Sequence, residues 1–198
     1  VMRNSTPHTS RMKVALPVSD CLVRLHFHAR GAISNLFLEP LPPLASSHEA
    51  EVVMRVRAVG LNFRDVLNVL GEYPGDPGPP GGDASGVVSA ADVAGLHTVG
   101  DTAFGLGHAP LASLAHAVEP LLVRKPLSLA FEEACTLPVT WSTTHAALER
   151  GGLRAGCSII LQAAAGGIGL KAIEYAQWLS AAVVGSAGRP HKHAQARM

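Results

Sequence analysis

The stretch Cys157-Ser158-Ile159-Ile160-Leu161-Gln162-Ala163-Ala164-Ala165-Gly166-Gly167-Ile168-Gly169-Leu170-Lys171-Ala172 decides the fold. Its first six residues are an apolar run of strand length and read as a buried strand. Glycines crowd the loop that follows. Beyond it Ile168, Ala172, Ile173, Ala176 and Leu179 recur at helical spacing and line one face. Ala181-Ala182-Val183-Val184-Gly185 reads as the next strand, which completes one β-α-β unit. Within that unit Gly167 to Ala172 fits the form G-x-G-x-x-G/A. Its glycines allow a tight turn and bring backbone N–H groups close to a pyrophosphate at a helix N-terminus. The motif alone is weak, because glycines also ease strand–helix packing. The strand before it, the helix after it and the second strand supply the context it needs, so Gly166, Gly167, Ile168 and Gly169 are the expected phosphate cradle.

The residues after the second strand bear on which dinucleotide fits. An NAD site places an Asp or Glu about 20 residues further on to bond the ribose 2′-OH, and that carboxylate would repel a 2′-phosphate. No acid stands there. Ser186-Ala187-Gly188-Arg189-Pro190-His191-Lys192 instead offers a hydroxyl, a guanidinium and an ammonium to a dianionic phosphate. Ser186, Arg189 and Lys192 are therefore candidate contacts for NADPH, against the plainer reading of Arg189 and Lys192 as a solvated basic tail.

Upstream the chain is β-rich. Cys21 to His28 and Glu51 to Val59 alternate as half-buried strands do, separated by the Pro-rich stretch Glu39 to Pro43. Asn62 to Leu70 reads as a short helix with Phe63, Val66, Leu67 and Leu70 on one face and Gly71 as its stop. The density of Pro and Gly from Tyr73 to Asp83 forbids regular structure. Ser85 to Val88 is strand-like, and Val99-Gly100-Asp101 a turn. Helical composition appears at Phe131 to Cys135 and Trp141 to Arg150, before Gly151-Gly152 breaks it. The expected organisation is a linker or disordered lead-in over residues 1–20, a β-rich domain over 21–127, and the start of a dinucleotide-binding domain over 128–198.

Composition narrows the function. With 47% hydrophobic and 16% charged residues the chain can bury a core. Its formal net charge of +1 comes without a dense Lys/Arg block, so electrostatics gives no reason to expect nucleic acid or an anionic membrane as a partner. No signal peptide is legible at the first residues and no apolar run reaches the ~20 residues of a membrane helix. Cys21, Cys135 and Cys157 are too scattered for a zinc site or a disulfide framework. A cytoplasmic protein with reduced thiols is expected.

Val56-Arg57-Ala58-Val59-Gly60-Leu61-Asn62-Phe63-Arg64-Asp65-Val66-Leu67, followed by Leu70-Gly71-Glu72-Tyr73-Pro74-Gly75-Asp76-Pro77, resembles the enoyl reductase domain of type I polyketide and fatty acid synthases. The likeness extends from Arg30-Gly31-Ala32-Ile33-Ser34-Asn35-Leu36 through Phe131-Glu132-Glu133-Ala134 and Leu137-Pro138 to the glycine loop and Lys192. It implies a medium-chain dehydrogenase: a GroES-like β domain followed by a Rossmann domain, of which this chain carries the first β-α-β unit. The implied reaction is NADPH-dependent reduction of an α,β-unsaturated acyl thioester on an acyl carrier protein, with other synthase domains in cis. By position, Asn62 would sit beside the nicotinamide ribose and Thr143 near the nicotinamide or the phosphates, and Lys192 would meet the 2′-phosphate. Tyr73 would be the proton donor, a phenol O–H being able to protonate an enolate-like carbon; alternatively its ring merely packs beneath the Pro-Gly loop.

Zinc alcohol dehydrogenases share the implied architecture but need Cys, His and a carboxylate around the metal. Asn62 stands at the Cys-like position and Gly82-Asp83 where His-Glu would be, and neither His26/His28 nor His191/His193 has a clear third ligand, so no metal is expected. The later Rossmann strands have no counterpart before Met198, so one expected alternative to a working reductase is a catalytically incompetent structural or docking module; the other, from the nearest sibling class of the resemblance, is an NADPH quinone reductase-like enzyme.

Overall fold

The computed structural model describes residues 21–43, 51–91, 95–189 and 192. The expected lead-in over residues 1–20 lies outside them, as do His191 and His193.

Strands β1 (Val23–Phe27) and β2 (Leu36–Pro40) pair antiparallel, with Val23 opposite Pro40 and Phe27 opposite Leu36. The Pro-rich stretch does not break the chain as early as expected, since Glu39 and Pro40 belong to β2. Pro40 has no N–H to donate and is tolerated at the strand's last position, while Glu39 accepts from the Arg24 Nε at 2.6 Å across the pair.

Strands β3 (Glu51–Gly60), β4 (Asp83–Ala90), β5 (Thr102–His108) and β6 (Leu114–Arg124) close into an antiparallel barrel. Alternation does the folding: in β3, Val52 and Met54 are 1% and 0% exposed while Arg55 between Met54 and Val56 faces solvent. Val52 packs with Val88, Ala103, Ala117 and Leu122 inside the barrel, each of the larger side chains contributing about 1.5–3 kcal/mol by burial. Gly105 and Gly107 in β5 and Pro120 in β6 blur the alternation that would announce those two strands in the sequence.

Helix α1 (Phe63–Leu70) begins at Asn62, whose N–H donates to the Asp65 Oδ2 at 2.8 Å, and stops at Gly71 in the left-handed conformation, φ 74°. Only part of its apolar stripe is covered, Leu67 and Leu70 being half-buried. Phe63 and Val66 are 74% and 43% exposed, whereas Asp65, Asn68 and Val69 are buried. The cause is the irregular loop that follows. Asn68 Nδ2 donates to the Gly78 carbonyl at 3.0 Å, and Asp65 Oδ1 accepts the Gly81 N–H at 2.8 Å. A loop held against a helix needs polar side chains to satisfy its backbone, so the helix turns those side chains inward.

Helices α2 (Phe131–Ala134) and α3 (Pro138–Arg150) lead away from the barrel into strand β7 (Ser158–Leu161), helix α4 (Gly167–Trp178) and strand β8 (Ala182–Gly185). The β7 and β8 strands are parallel, Leu161 lying opposite Gly185. Ala172, Ile173 and Ala176 of α4 are buried as expected, but Ile168 is 46% exposed. Strand β7 is not the fully buried strand anticipated: Ile160 is 78% exposed and Val184 of β8 64%, because among the described residues α4 covers only one face of the two strands.

Candidate active site

Helix α4 opens at the carboxyl ends of β7 and β8, where Gly166 is its extended N-cap residue. The amides of Gly167, Ile168 and Gly169 have no backbone acceptor among the described residues. They form a set of donors at the positive end of the helix dipole. Space around the glycines differs by position. A Cβ on Gly169 would stand 2.5 Å from the Ala163 carbonyl oxygen and 2.7 Å from the Ala164 Cα, so this glycine lets the helix close onto the loop. A Cβ on Gly167 would meet only Thr140 Cγ2, at 3.8 Å, and would project into the open space beside the free amides. Open amides and a missing Cβ fit a pyrophosphate.

The end of β8 is laced to this loop. The Ser186 carbonyl accepts the Ala164 N–H and its N–H donates to the Leu161 carbonyl, both at 2.9 Å. Arg189 and Lys192 follow, both exposed, with the Lys192 N–H bonded to the Arg189 carbonyl at 2.9 Å. Their cations therefore stand in the loop that leaves the same edge of the sheet as the cradle, the edge where open α/β sheets bind ligands.

A second group of residues gathers around Asp83, the first residue of β4, which is 1% exposed. Asp83 Oδ2 accepts the Asn62 Nδ2 at 3.0 Å, and Asp83 Oδ1 accepts the Val139 N–H in the first turn of α3, also at 3.0 Å. Burial pushes the Asp83 carboxyl above the usual carboxylate range, and the two donated hydrogen bonds oppose that shift. Cys135, 3% exposed, is likewise pushed up by burial and then by the Asp83 charge. The first turn of α3 lies near both groups: the Val139 N–H donates to Asp83, and the Cγ2 of the next residue, Thr140, lies 3.8 Å from where a Cβ on Gly167 would stand. Asn62 is thus linked through Asp83 to the helical turn that borders the glycine loop. Thr143 lies about one turn further along α3, exposed.

Tyr73 sits in the Pro-Gly loop, half-buried, with the Arg64 guanidinium 5.5 Å from its ring centroid. Arg64 also donates from Nη2 to the Pro77 carbonyl at 2.7 Å, and the Tyr73 hydroxyl has no hydrogen-bond partner among the described residues. Thr140 is the residue that the sequence alone does not single out, and Asp83 stands out there only as the occupant of a zinc-ligand position in the related alcohol dehydrogenases. A carboxylate next to a Pro-Gly loop is an unremarkable pattern, and only the barrel closure carries Asp83 to Asn62.

No family model matches the chain. Erythronolide synthase EryA2 of Saccharopolyspora erythraea is 40% identical over 171 residues, which is 84% of this chain and 5% of that protein. Among solved structures, the CurK enoyl reductase superimposes with a TM-score of 0.81 at 33% identity, covering 88% of this chain and 56% of that one. Its relatives in sequence are type I polyketide synthases, and its solved neighbours are enoyl reductases and quinone oxidoreductases of the medium-chain dehydrogenase/reductase superfamily. A quinone oxidoreductase of Pseudomonas syringae pv. tomato is a further member of that fold, with a TM-score of 0.77 at 30% identity over 89% of this chain and 56% of the other. The mycobacterial protein Rv1454c, solved in complex with NADPH, shares the fold alone, with a TM-score of 0.77 at 22% identity over 89% of this chain and 56% of that one. The architecture is accordingly GroES-like plus Rossmann, and this chain spans just over half of the solved enoyl reductase and a small part of the synthase. Among the described residues no helix is long and apolar enough to cross a membrane.

Proposed function

We propose that this chain is the part of a polyketide synthase enoyl reductase that binds NADPH and presents the proton donor, with residues 21–127 as the GroES-like domain and 128–198 as the start of the cofactor domain. The substrate is an α,β-unsaturated acyl thioester carried on an acyl carrier protein, and the other synthase domains lie in cis. The observation that carries this reading is the open N-terminus of α4. Three free amides point to a phosphate-bearing ligand, and the exposed cations of Arg189 and Lys192 follow at the same sheet edge.

When bound, NADPH supplies a hydride to the β-carbon of the thioester. The chain's own residues do the rest. Gly167, Ile168 and Gly169 hold the pyrophosphate through their free amides, and Gly166, whose N–H donates to the Ala163 carbonyl at 2.8 Å, shapes the turn of the cradle. Ser186, Arg189 and Lys192 bind the 2′-phosphate, and Arg189 and Lys192 select against NADH. Thr143 contacts the cofactor from α3, and Asn62 faces the nicotinamide end with its amide. Tyr73 donates its phenolic proton to the α-carbon, in a position steadied by Arg64 over its ring.

The test is an NADPH titration of the purified chain, followed by NADPH consumption with a crotonyl thioester. Binding in the micromolar range or tighter, and loss of that binding in Lys192→Glu without unfolding, are expected. No binding by a folded chain overturns the cofactor reading. The likeness to a quinone oxidoreductase makes a quinone the informative competing acceptor: faster consumption with the quinone than with the thioester would move the substrate class.

A further inference from the structure

We infer that Asp83 is a positioning residue that fixes which end of the Asn62 carboxamide faces the cofactor. The inference deepens the proposed cofactor role of Asn62 and rests on it. An ionised carboxylate can only accept hydrogen bonds. Asp83 is all but inaccessible to solvent, and its two oxygens are each engaged by a donor, the Asn62 Nδ2 and the Val139 N–H, both at 3.0 Å. With Asp83 ionised, the amide orientation of Asn62 follows from chemistry and agrees with the observed bond, in which Nδ2 is the donor. Nδ2 must point inward to Asp83, which leaves the Asn62 Oδ1 directed away from it as a fixed acceptor for a ligand N–H, the class of donor that the nicotinamide carboxamide carries.

The second oxygen gives the arrangement its register. By holding the Val139 N–H, Asp83 anchors the first turn of α3, and Thr140 in that turn lies 3.8 Å from the place a Gly167 side chain would occupy. One buried carboxylate thus ties the acceptor at Asn62 to the helix that borders the phosphate cradle. The backbone near Asn62 is held separately, through its N–H to Asp65, so the Asp83 bond is free to govern the side chain.

Asp83→Asn tests this with almost no change in volume. Its single oxygen is claimed by the immovable Val139 N–H, which turns its NH2 toward Asn62 and forces the Asn62 amide to rotate and offer Oδ1 inward. The outward acceptor becomes a donor. NADPH affinity should fall about tenfold in Asp83→Asn and by a similar factor in Asn62→Ala, and the double variant should lose no more than Asn62→Ala alone. Losses that multiply in the double variant would make Asp83 merely structural and overturn the inference, as would an unchanged affinity in Asp83→Asn. The Asn62 side-chain amide resonance, assigned by its disappearance in Asn62→Ala, gives an arm independent of the cofactor and of whether Asp83→Asn folds. In the wild-type chain one of its protons should be shifted downfield and slow to exchange, whereas a solvent-averaged pair would refute the inference. Absence of NADPH binding by the wild-type chain, with the protected amide present, would instead count against the cofactor reading alone.

Discussion

Asp65 Oδ1 accepts the backbone N–H of Gly81 at 2.8 Å, so a carboxylate in the first turn of α1 holds the far end of a loop 16 residues away. Its other oxygen accepts the Asn62 N–H at 2.8 Å. One side chain thereby caps the helix and closes the loop that carries Tyr73. Asp65→Ala strands both N–H groups, and each poorly solvated orphan costs about 1–3 kcal/mol. A urea midpoint lower by a corresponding amount is expected, with a smaller drop for Asp65→Asn, which keeps one acceptor. Equal stability of Asp65→Ala and wild type would mean the loop is not held from α1.

That relationship also explains what could be read from residues alone. The β-α-β unit is legible because Ile159, Leu161, Ala172 and Ala176 follow their local periods and the glycine loop falls between a strand pattern and a helix pattern. The orientation of α1 is not legible. Phe63, Val66, Leu67 and Leu70 form the apolar stripe, yet only the two leucines are half-buried, because the helix is turned by the hydrogen-bonding needs of a loop whose path no local pattern encodes. Strand β7 misled for a related reason, since the identity of Ile160 is compatible with burial on both faces while α4 covers one. The resemblance puts Asn62 and Asp83 at neighbouring positions of the candidate site, but the bond between them depends on barrel closure, and the approach of Thr140 to the glycine loop on the entry of α3, neither of which a local pattern encodes.

The two kinds of glycine in the loop should separate by substitution. Gly169→Ala drives a methyl into the Ala163 carbonyl and the Ala164 backbone, at 2.5 and 2.7 Å, and overpacking of this kind costs about 1–3 kcal/mol. Gly167→Ala meets only Thr140 Cγ2 at 3.8 Å and should leave the thermal midpoint nearly unchanged. Its methyl would instead occupy the phosphate's approach, weakening NADPH about tenfold or more. Thermal melts and cofactor titrations on the same two proteins distinguish the roles; a destabilised Gly167→Ala would show that the space beside the amides is not open.

Acid should act on Asp76 and Asp83 with opposite signs. The Gly78 N–H and then Arg30 hold the Asp76 carboxyl below its ordinary 3.8. The folded chain therefore binds that proton less readily than the unfolded chain, and the contribution of Asp76 is present above 3.8 and lost as pH falls through the folded value. Burial holds Asp83 above 3.8. The folded chain there binds the proton more readily, so this contribution is full below 3.8 and is lost as pH rises through the folded value. Denaturation midpoints across the acid range should show Asp76→Asn less sensitive to acid than wild type. They should also show Asp83→Asn lacking the decline on the rising side. Because Asp76 is largely exposed, the first difference should also shrink in high salt. Parallel profiles for all three proteins would contradict both assignments.

Tyr73→Phe bears most directly on the chemistry. The substitution keeps the ring against Arg64, 5.5 Å from its centroid, and removes only the O–H. NADPH affinity should stay within about twofold, since the phenol is assigned to the substrate and not to the cofactor, while turnover of the crotonyl thioester should fall about a hundredfold, the usual scale of a lost general acid. Arg64→Leu leaves the O–H in place but frees the ring and the Pro77 carbonyl, so it should give an intermediate loss with the same unchanged affinity. Full turnover in Tyr73→Phe would return the ring to a packing role and require the proton to come from another residue or from water. A loss of turnover accompanied by loss of NADPH affinity would mean that the loop, rather than the hydroxyl, was what the substitution disturbed.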